Sequence, residues 1–258
     1  MKYRKILSAV CAALLCGCSG CTMKADIPET ELRYAAETTD YRHITYAYPV
    51  FADNDAVNAS VKSYTEKLIC EQIEGAWSPE EEIPEAAIQS GLTKCPAWDE
   101  DAMLTIEMDV TVTRMDDAYI SLFYEGLFNV KGTAHPTHIA EGLILDAKTG
   151  EILHLSDLYT VDEAFSEFVC DYHHEHGAAQ HAEKLDISAE EVPAEMFSET
   201  PEYILACLLH YDEPYTTATV FMYPDALVFS FPVGHALGDH AEIRIPYMEL
   251  EPFLRKSN

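Results

Sequence analysis

From Met103 to Thr113 hydrophobic and polar residues alternate with period two. Leu104, Ile106, Met108, Val110 and Val112 fall on one side, and Thr105, Glu107, Asp109, Thr111 and Thr113 on the other. That pattern predicts a strand with one face in a core. Met115-Asp116-Asp117-Ala118 supplies turn residues, and Tyr119 to Val130 then carries apolar or aromatic groups on both faces, as a central strand covered on both sides does. Beyond the interruption Lys131 to Pro136, the segment His138 to Asp146 predicts a third strand. Ala147-Lys148-Thr149-Gly150 predicts a turn and Glu151 to Leu155 a fourth strand, so the whole stretch predicts an antiparallel meander.

On either side of this meander the period changes. Tyr41 to Phe51 alternates as a strand, and Asp53 or Asn54 then caps a helix whose Val57, Val61, Tyr64, Leu68 and Ile69 share one face as far as about Gly75. Ser78 to Asp101, rich in Pro and Glu and edged by Trp77 and Trp98, predicts a long surface loop with a short helix at Glu85 to Gln89. After a turn at Ser156-Asp157-Leu158-Tyr159, a helix is predicted over Val161 to about Lys184 and a shorter one over Pro201 to His210. Thr217 to Tyr223 and Leu227 to Phe231 read as a second hairpin, Ala241 to Ile245 as a last strand, and Pro246 as the start of a terminal helix ending near Leu254. The fold class expected is α+β, an antiparallel sheet of meanders and hairpins with helices packed on one side. Residues 41–137 and 138–255 form the two halves of the module.

The N-terminus changes the picture of where this module works. Lys2, Arg4 and Lys5 precede the apolar run Ile6 to Leu15, too short for a permanent span, so residues 1–17 read as a secretory signal. Leu15-Cys16-Gly17-Cys18 resembles a bacterial lipobox, in which cleavage after a small residue leaves a cysteine thiol to carry diacylglycerol. Cys18 is the expected lipidation site, and residues 18–40 the tether. The protein is then expected in a bacterial cell envelope, held to a membrane by its lipid. The 258 residues carry 16 Lys and Arg against 45 Asp and Glu, a net charge of −29. Loss of residues 1–17 removes three bases and no acid, leaving −32. Such a balance argues against nucleic acid as a partner and suits either a cationic partner or simple solubility.

Candidate chemistry is sparse. There is no G-x-S-x-G elbow, phosphate loop or G-x-G-x-x-G, so no reaction centre and no cofactor are expected, and the chain is read as a non-enzyme. His173, His174 and His176, with His181 beyond, offer a metal-binding or metal-dependent hydrolase reading as the alternative. They match neither H-E-x-x-H nor H-x-x-E-H, and a helix converges at most two of them, so surface histidines near a helix end are the expectation. Cys70, Cys95, Cys170 and Cys207 permit three pairings, Cys70 with Cys95 and Cys170 with Cys207 being the local one. Buried free thiols are the other reading.

Several of these segments, taken in order, resemble one family. Gly132-Thr133-Ala134-His135-Pro136, then Asp146-Ala147-Lys148-Thr149-Gly150 leading to Leu155-Ser156-Asp157-Leu158-Tyr159, look like its pattern Gly-Gly-Ala-His, Asp-x-x-Thr-Gly-x-x-x-x-Leu-x-Asp-Leu-Phe. Phe231 to Gly238 and Ile245 to Leu250 resemble its C-terminal end, Tyr48-Pro49 and Val57-Asn58 its N-terminal half. The family is the paired domain-of-unknown-function module of the extracellular, lysozyme-binding region of RsiV-type anti-sigma factors and of the N-terminal part of PdaC-type peptidoglycan deacetylases. The resemblance implies an α+β fold and a binding role toward a cationic protein such as lysozyme, or toward cell-wall polymer. It points to Thr133, His135, Pro136, Gly234 and His235 as partner-binding positions. The chain departs from the family where Gly234-His235 replaces Pro-Tyr and Thr133 replaces the second glycine. His135 has two readings: it meets a partner at the loop surface, or its imidazole fixes the hairpin by hydrogen bonding.

Overall fold

The computed structural model describes residues 30–38, 42–75, 103–131, 135–209, 218–234 and 239–255. The signal, Cys18, the long loop with its short helix, Cys95, Thr133 and His235 lie outside the described residues. In chain order, β1 (Thr30–Thr38), β2 (Arg42–Phe51), α1 (Asp55–Gly75), β3 (Leu104–Met115), β4 (Tyr119–Val130) and β5 (Thr137–Asp146) come first, and the five strands form one sheet in that order. Then come α2 (Leu155–Leu158), α3 (Glu163–Leu185), α4 (Pro201–Leu209), β6 (Thr219–Met222), β7 (Ala226–Pro232), β8 (His240–Pro246) and α5 (Tyr247–Leu250). Strands β6-β7-β8 make a second, antiparallel sheet. The class is α+β, as the periodicities predict, and each sheet carries helices on one face. Among the described residues no helix is long and apolar enough to cross a membrane.

The first core forms where alternation predicts it. Leu104, Ile106, Met108 and Val110 of β3 meet Ile120, Leu122 and Tyr124 of β4 and Val57, Val61 and Leu68 of α1. Asn54 caps α1 by accepting from Val57 N at 3.1 Å. Val112 is only partly buried because the register shifts between Val112 and Arg114, so that two residues of β3 oppose one of β4. Thr113 turns inward instead, its hydroxyl donating to Ser121 O at 3.1 Å.

Three expectations are corrected. The sheet is mixed, not wholly antiparallel: β2 pairs in parallel with β3, because the connection through α1 returns the chain to the end at which β2 began. The tether expected over 18–40 contains β1, which pairs antiparallel with β2 from Thr30 to Thr38. Its two faces are both largely exposed, so it shows no hydrophobic alternation. The fourth meander strand, Glu151 to Leu155, reduces to one bridge between Leu145 and Ile152. Asp157 ends it by accepting from His154 N at 2.9 Å, which winds Leu155 to Leu158 into a helical turn.

The second sheet crosses the face of the first that α1 leaves open. A Cβ on Gly142 of β5 would lie 2.1 Å from Val220 O of β6, so only glycine permits the approach. Beside it Gly142 N donates to Thr219 Oγ1, and Met222 N donates to Ser121 Oγ at 2.8 Å. The second core fills the far side of β6-β7-β8, where Phe229, Phe231, Ile243 and Ile245 pack on Phe165 and Val169 of α3 and Ile204 and Cys207 of α4. Arg114 ties the two sheets to the C-terminus: its guanidinium donates to Asp116 at 2.6 Å and to Tyr247 OH at 3.0 Å and lies over the Tyr119 ring at 4.8 Å.

On the α1 side, Glu141 of β5 sits half-buried below the helix, and burial, with the nearby Glu71 carboxylate, pushes its pKa up to about 8. A carboxyl raised in this way stays protonated in the fold while the unfolded chain ionises near pH 4.5. Stability is therefore lost as pH rises from there through about 8. Thermal melts should show the Glu141→Gln variant gaining on the unsubstituted chain across that window; a constant difference would contradict the burial. Gly142→Ala is expected to destabilise by at least about 2 kcal/mol, roughly 4–8 °C in Tm for a chain of this size. An unchanged Tm would mean that the sheets do not approach as described.

Candidate functional site

Past their contact at Gly142 the two sheets diverge, and the gap is a cleft of about 690 Å³. Phe123 of β4 and Phe221 of β6 stack at 4.3 Å across it. The first sheet contributes Thr111 and Glu125, the second Tyr223, Asp225, Glu242 and Arg244, and α3 adds His181 and Lys184. Along the first sheet this surface continues as Asp109, which stands directly opposite Glu125, and Glu107, opposite Leu127. Two carboxylates opposed in register repel each other, and together with Glu107 they make this face anionic. On the other wall the charges are paired: Lys184 reaches Glu242 at 3.0 Å, and Arg244 bonds Asp225 and lies over the Tyr223 ring at 4.6 Å. Gln180 of α3 closes the outer edge of β8, donating to Arg244 O at 2.9 Å and accepting from Arg244 N at 2.8 Å.

His240, which lines the cleft, places the strand start after one of the loops singled out by the sequence near the strand start after the other. Val233 N donates to Asp239 O at 2.8 Å, closing the loop between β7 and β8. His240, first in β8, lies within electrostatic reach of His138 near the start of β5. His135, Pro136 and Gly234 are exposed on these loops, and the space beside the Gly234 Cα is open. Burial foremost, then the neighbouring His138 and Lys184, hold the His240 imidazole below its ordinary pKa, and burial with Lys184 does the same to His181.

The histidines on α3 do not converge. His173 is fully buried, contrary to the surface placement expected, because its ring fills the space between Phe197 at 4.8 Å and Phe231 at 5.2 Å. Its Nδ1 lies 3.2 Å from the Glu199 carboxylate. His174 shares a 2.8 Å hydrogen bond with the Glu199 carbonyl oxygen, His176 lies on the Tyr172 ring and His181 edges Phe197. Among the described residues no group of three His, Cys, Asp or Glu side chains could hold a metal ion.

Cys170 donates to the same Glu199 carbonyl at 3.3 Å, with His174 Nε2 3.7 Å away, a pair that resembles a thiol nucleophile and its base. Burial foremost, then Asp171, Glu199 and Glu202, push the thiol pKa up, the opposite of what a nucleophile needs. No disulfide joins Cys170 to Cys207.

The sequence marks the two loops by their Gly and Pro residues and marks the cleft only weakly. The one available signal was polar: Glu125 interrupts the apolar run of β4, and Asp109 and Thr111 mark the outward face of β3.

These features define an α+β protein of two stacked sheets with helices outside. No protein-family model matches the chain, and no curated protein matches it. Solved structures do. The chain is similar to a DUF3298 family protein from Pseudomonas aeruginosa PAO1, at 15% identity and a TM-score of 0.55, over 89% of this chain and 95% of that one. It also matches a member of the same family from Bacteroides fragilis NCTC 9343, at 17% identity and a TM-score of 0.46, over 89% and 94% of the two chains. At 15% identity the likeness to the Pseudomonas protein is one of fold, to a domain family whose function is uncharacterised.

A lowered histidine gives a test of the cleft end. The unfolded chain takes up a proton near pH 6.5 that folded His240 resists, so stability is full above that pH and is lost as pH falls toward the lowered folded value. His240→Gln is expected to shrink the drop in Tm between about pH 7 and about pH 5. An identical drop in both proteins would contradict the placement of His240.

Proposed function

We propose that this chain is an exported envelope lipoprotein, anchored through Cys18, whose RsiV- and PdaC-like module binds a partner without catalysis. The partner class is a cationic protein such as lysozyme, with anionic-face recognition carrying the contact. Cell-wall polymer is the companion ligand of the same reading. One observation supports it above the rest: Glu125, opposed in register by Asp109, lines the cleft between the sheets together with His240, the strand residue that follows the loop between β7 and β8. With a net charge of −29 over the whole chain, long-range attraction would steer a basic protein to that face and salt would weaken it. The bases of the opposite wall already have acidic partners, which leaves the β3–β4 carboxylates as the open half of the recognition surface.

Titration calorimetry with lysozyme is expected to show binding at low salt that weakens at moderate salt. The double variant Asp109→Lys/Glu125→Lys should lose about tenfold or more in affinity. Absence of heat at both salt concentrations would remove lysozyme as the partner, and an unaffected double variant would remove this face.

A further inference from the structure

We propose that β1 is an interface between two copies of this chain, which pair antiparallel along that strand about a two-fold axis at Ala35. The inference stands apart from the cationic-partner reading and uses a different edge of the molecule. Among the described residues β1 is the outermost strand of the five-stranded sheet, with β2 as its neighbour. In an antiparallel ladder the N–H and C=O groups of every second residue point away from the partner strand. On β1 these outward groups form an edge of nine residues without a proline, a glycine or a bulge. Proteins normally blunt such an edge, and this chain does so elsewhere: the outer edge of β8 is closed by the Gln180 amide.

The side chains of β1 complement themselves about one axis. With the two-fold at Ala35, Arg33, whose guanidinium lies a loose 3.7 Å from exposed Glu31 of its own strand, stands opposite the partner's Glu37, and the same pair recurs on the other side of the axis. Tyr34 lies across from the small partner's Ala36, and Leu32 across from the partner's Thr38. Tyr34 and Leu32 are the exposed apolar groups of the strand, 71% and 44% accessible, and pairing covers both. The axes on the N-terminal side of Ala35 fit worse. At Tyr34 the axis sets Glu31 against the partner's Glu37 twice, and at Arg33 it opposes two guanidinium groups. Glu37 is held in place by Arg42 of its own chain, so its carboxylate is oriented at the edge before a second copy arrives.

The axis has a direct signature. Residues opposed across an antiparallel pair have Cα atoms about 4.5–5.5 Å apart, within disulfide reach, and only the residue on the axis meets itself. Mild oxidation of the purified full chain carrying Ala35→Cys is expected to give a disulfide-linked dimer above the level of the unsubstituted chain, whereas Ala36→Cys stays at that level. Sedimentation should show a concentration-dependent dimer that Arg33→Glu weakens about tenfold, with the thermal melt unchanged at concentrations where both proteins are monomeric, because Arg33 is exposed in the single chain. Equal cross-linking by both cysteine variants, no cross-linking by either, or a monomer at every concentration would overturn the proposal. So would a β1 edge that pairs only with the strand of a different protein.

Discussion

The architecture depends on one close approach, that of β6 to the open face of β4 and β5. Gly142 has no side chain to hold the strands apart, and Ser121 and the Thr219 hydroxyl satisfy backbone groups that the crossing would otherwise bury unpaired. Burial at the seam puts the two hydrophobic cores on opposite outer sides, one under α1 and one under α3 and α4. The same seam fixes the angle at which the sheets part, so the cleft lined by Phe123, Phe221 and Glu125 follows from the packing. Arg114 reinforces it from the β3 side, and the bulge at Thr113 is what turns Arg114 toward Tyr247.

The motifs by which the sequence resembles a known module are mostly joints of this architecture. Asp146 accepts from Lys148 N at 2.9 Å and Thr149 N at 2.7 Å, and Gly150, in the left-handed region at φ 70°, lets the turn rest against the start of α1. Asn54 and Ser60 of that helix region bond the turn at Ala147 O and Gly150 O. Asp157 winds α2, and Tyr247 bonds both Arg114 and Tyr223 O. Residues that recur at such spacing for structural reasons speak to fold, and the 15% identity over 89% of this chain to a solved DUF3298 family protein speaks to the same thing.

Elements with one buried face were legible in the sequence, because burial imposes a period. β3, β4, α1 and α3 each appear within a few residues of their expected bounds. Elements without such a face were not legible. β1 is exposed on both sides and looked like a tether, and the parallel pairing of β2 with β3 depends on where a connection ends, which no local period records. The loops of the candidate site could be found from their punctuation, Gly132 to Pro136 and Pro232 to His240. The cleft beside them could not, since it arises between strands more than 90 residues apart in the chain, as Ser121 and Met222 illustrate with a separation of 101. His173 was misplaced for a related reason: its burial comes from Phe197 and Phe231, not from its own helix.

The proposed role rests on the acidic face of β3 and β4 beside the cleft. Amide hydrogen exchange of the chain, alone and with lysozyme at low salt, reads that surface directly. The account predicts slowed exchange in β3 and β4 around Asp109 and Glu125, at the start of β5 after Pro136, and at the start of β8, with α1 and α4 unchanged. Protection confined to the helices, or none anywhere, would contradict it.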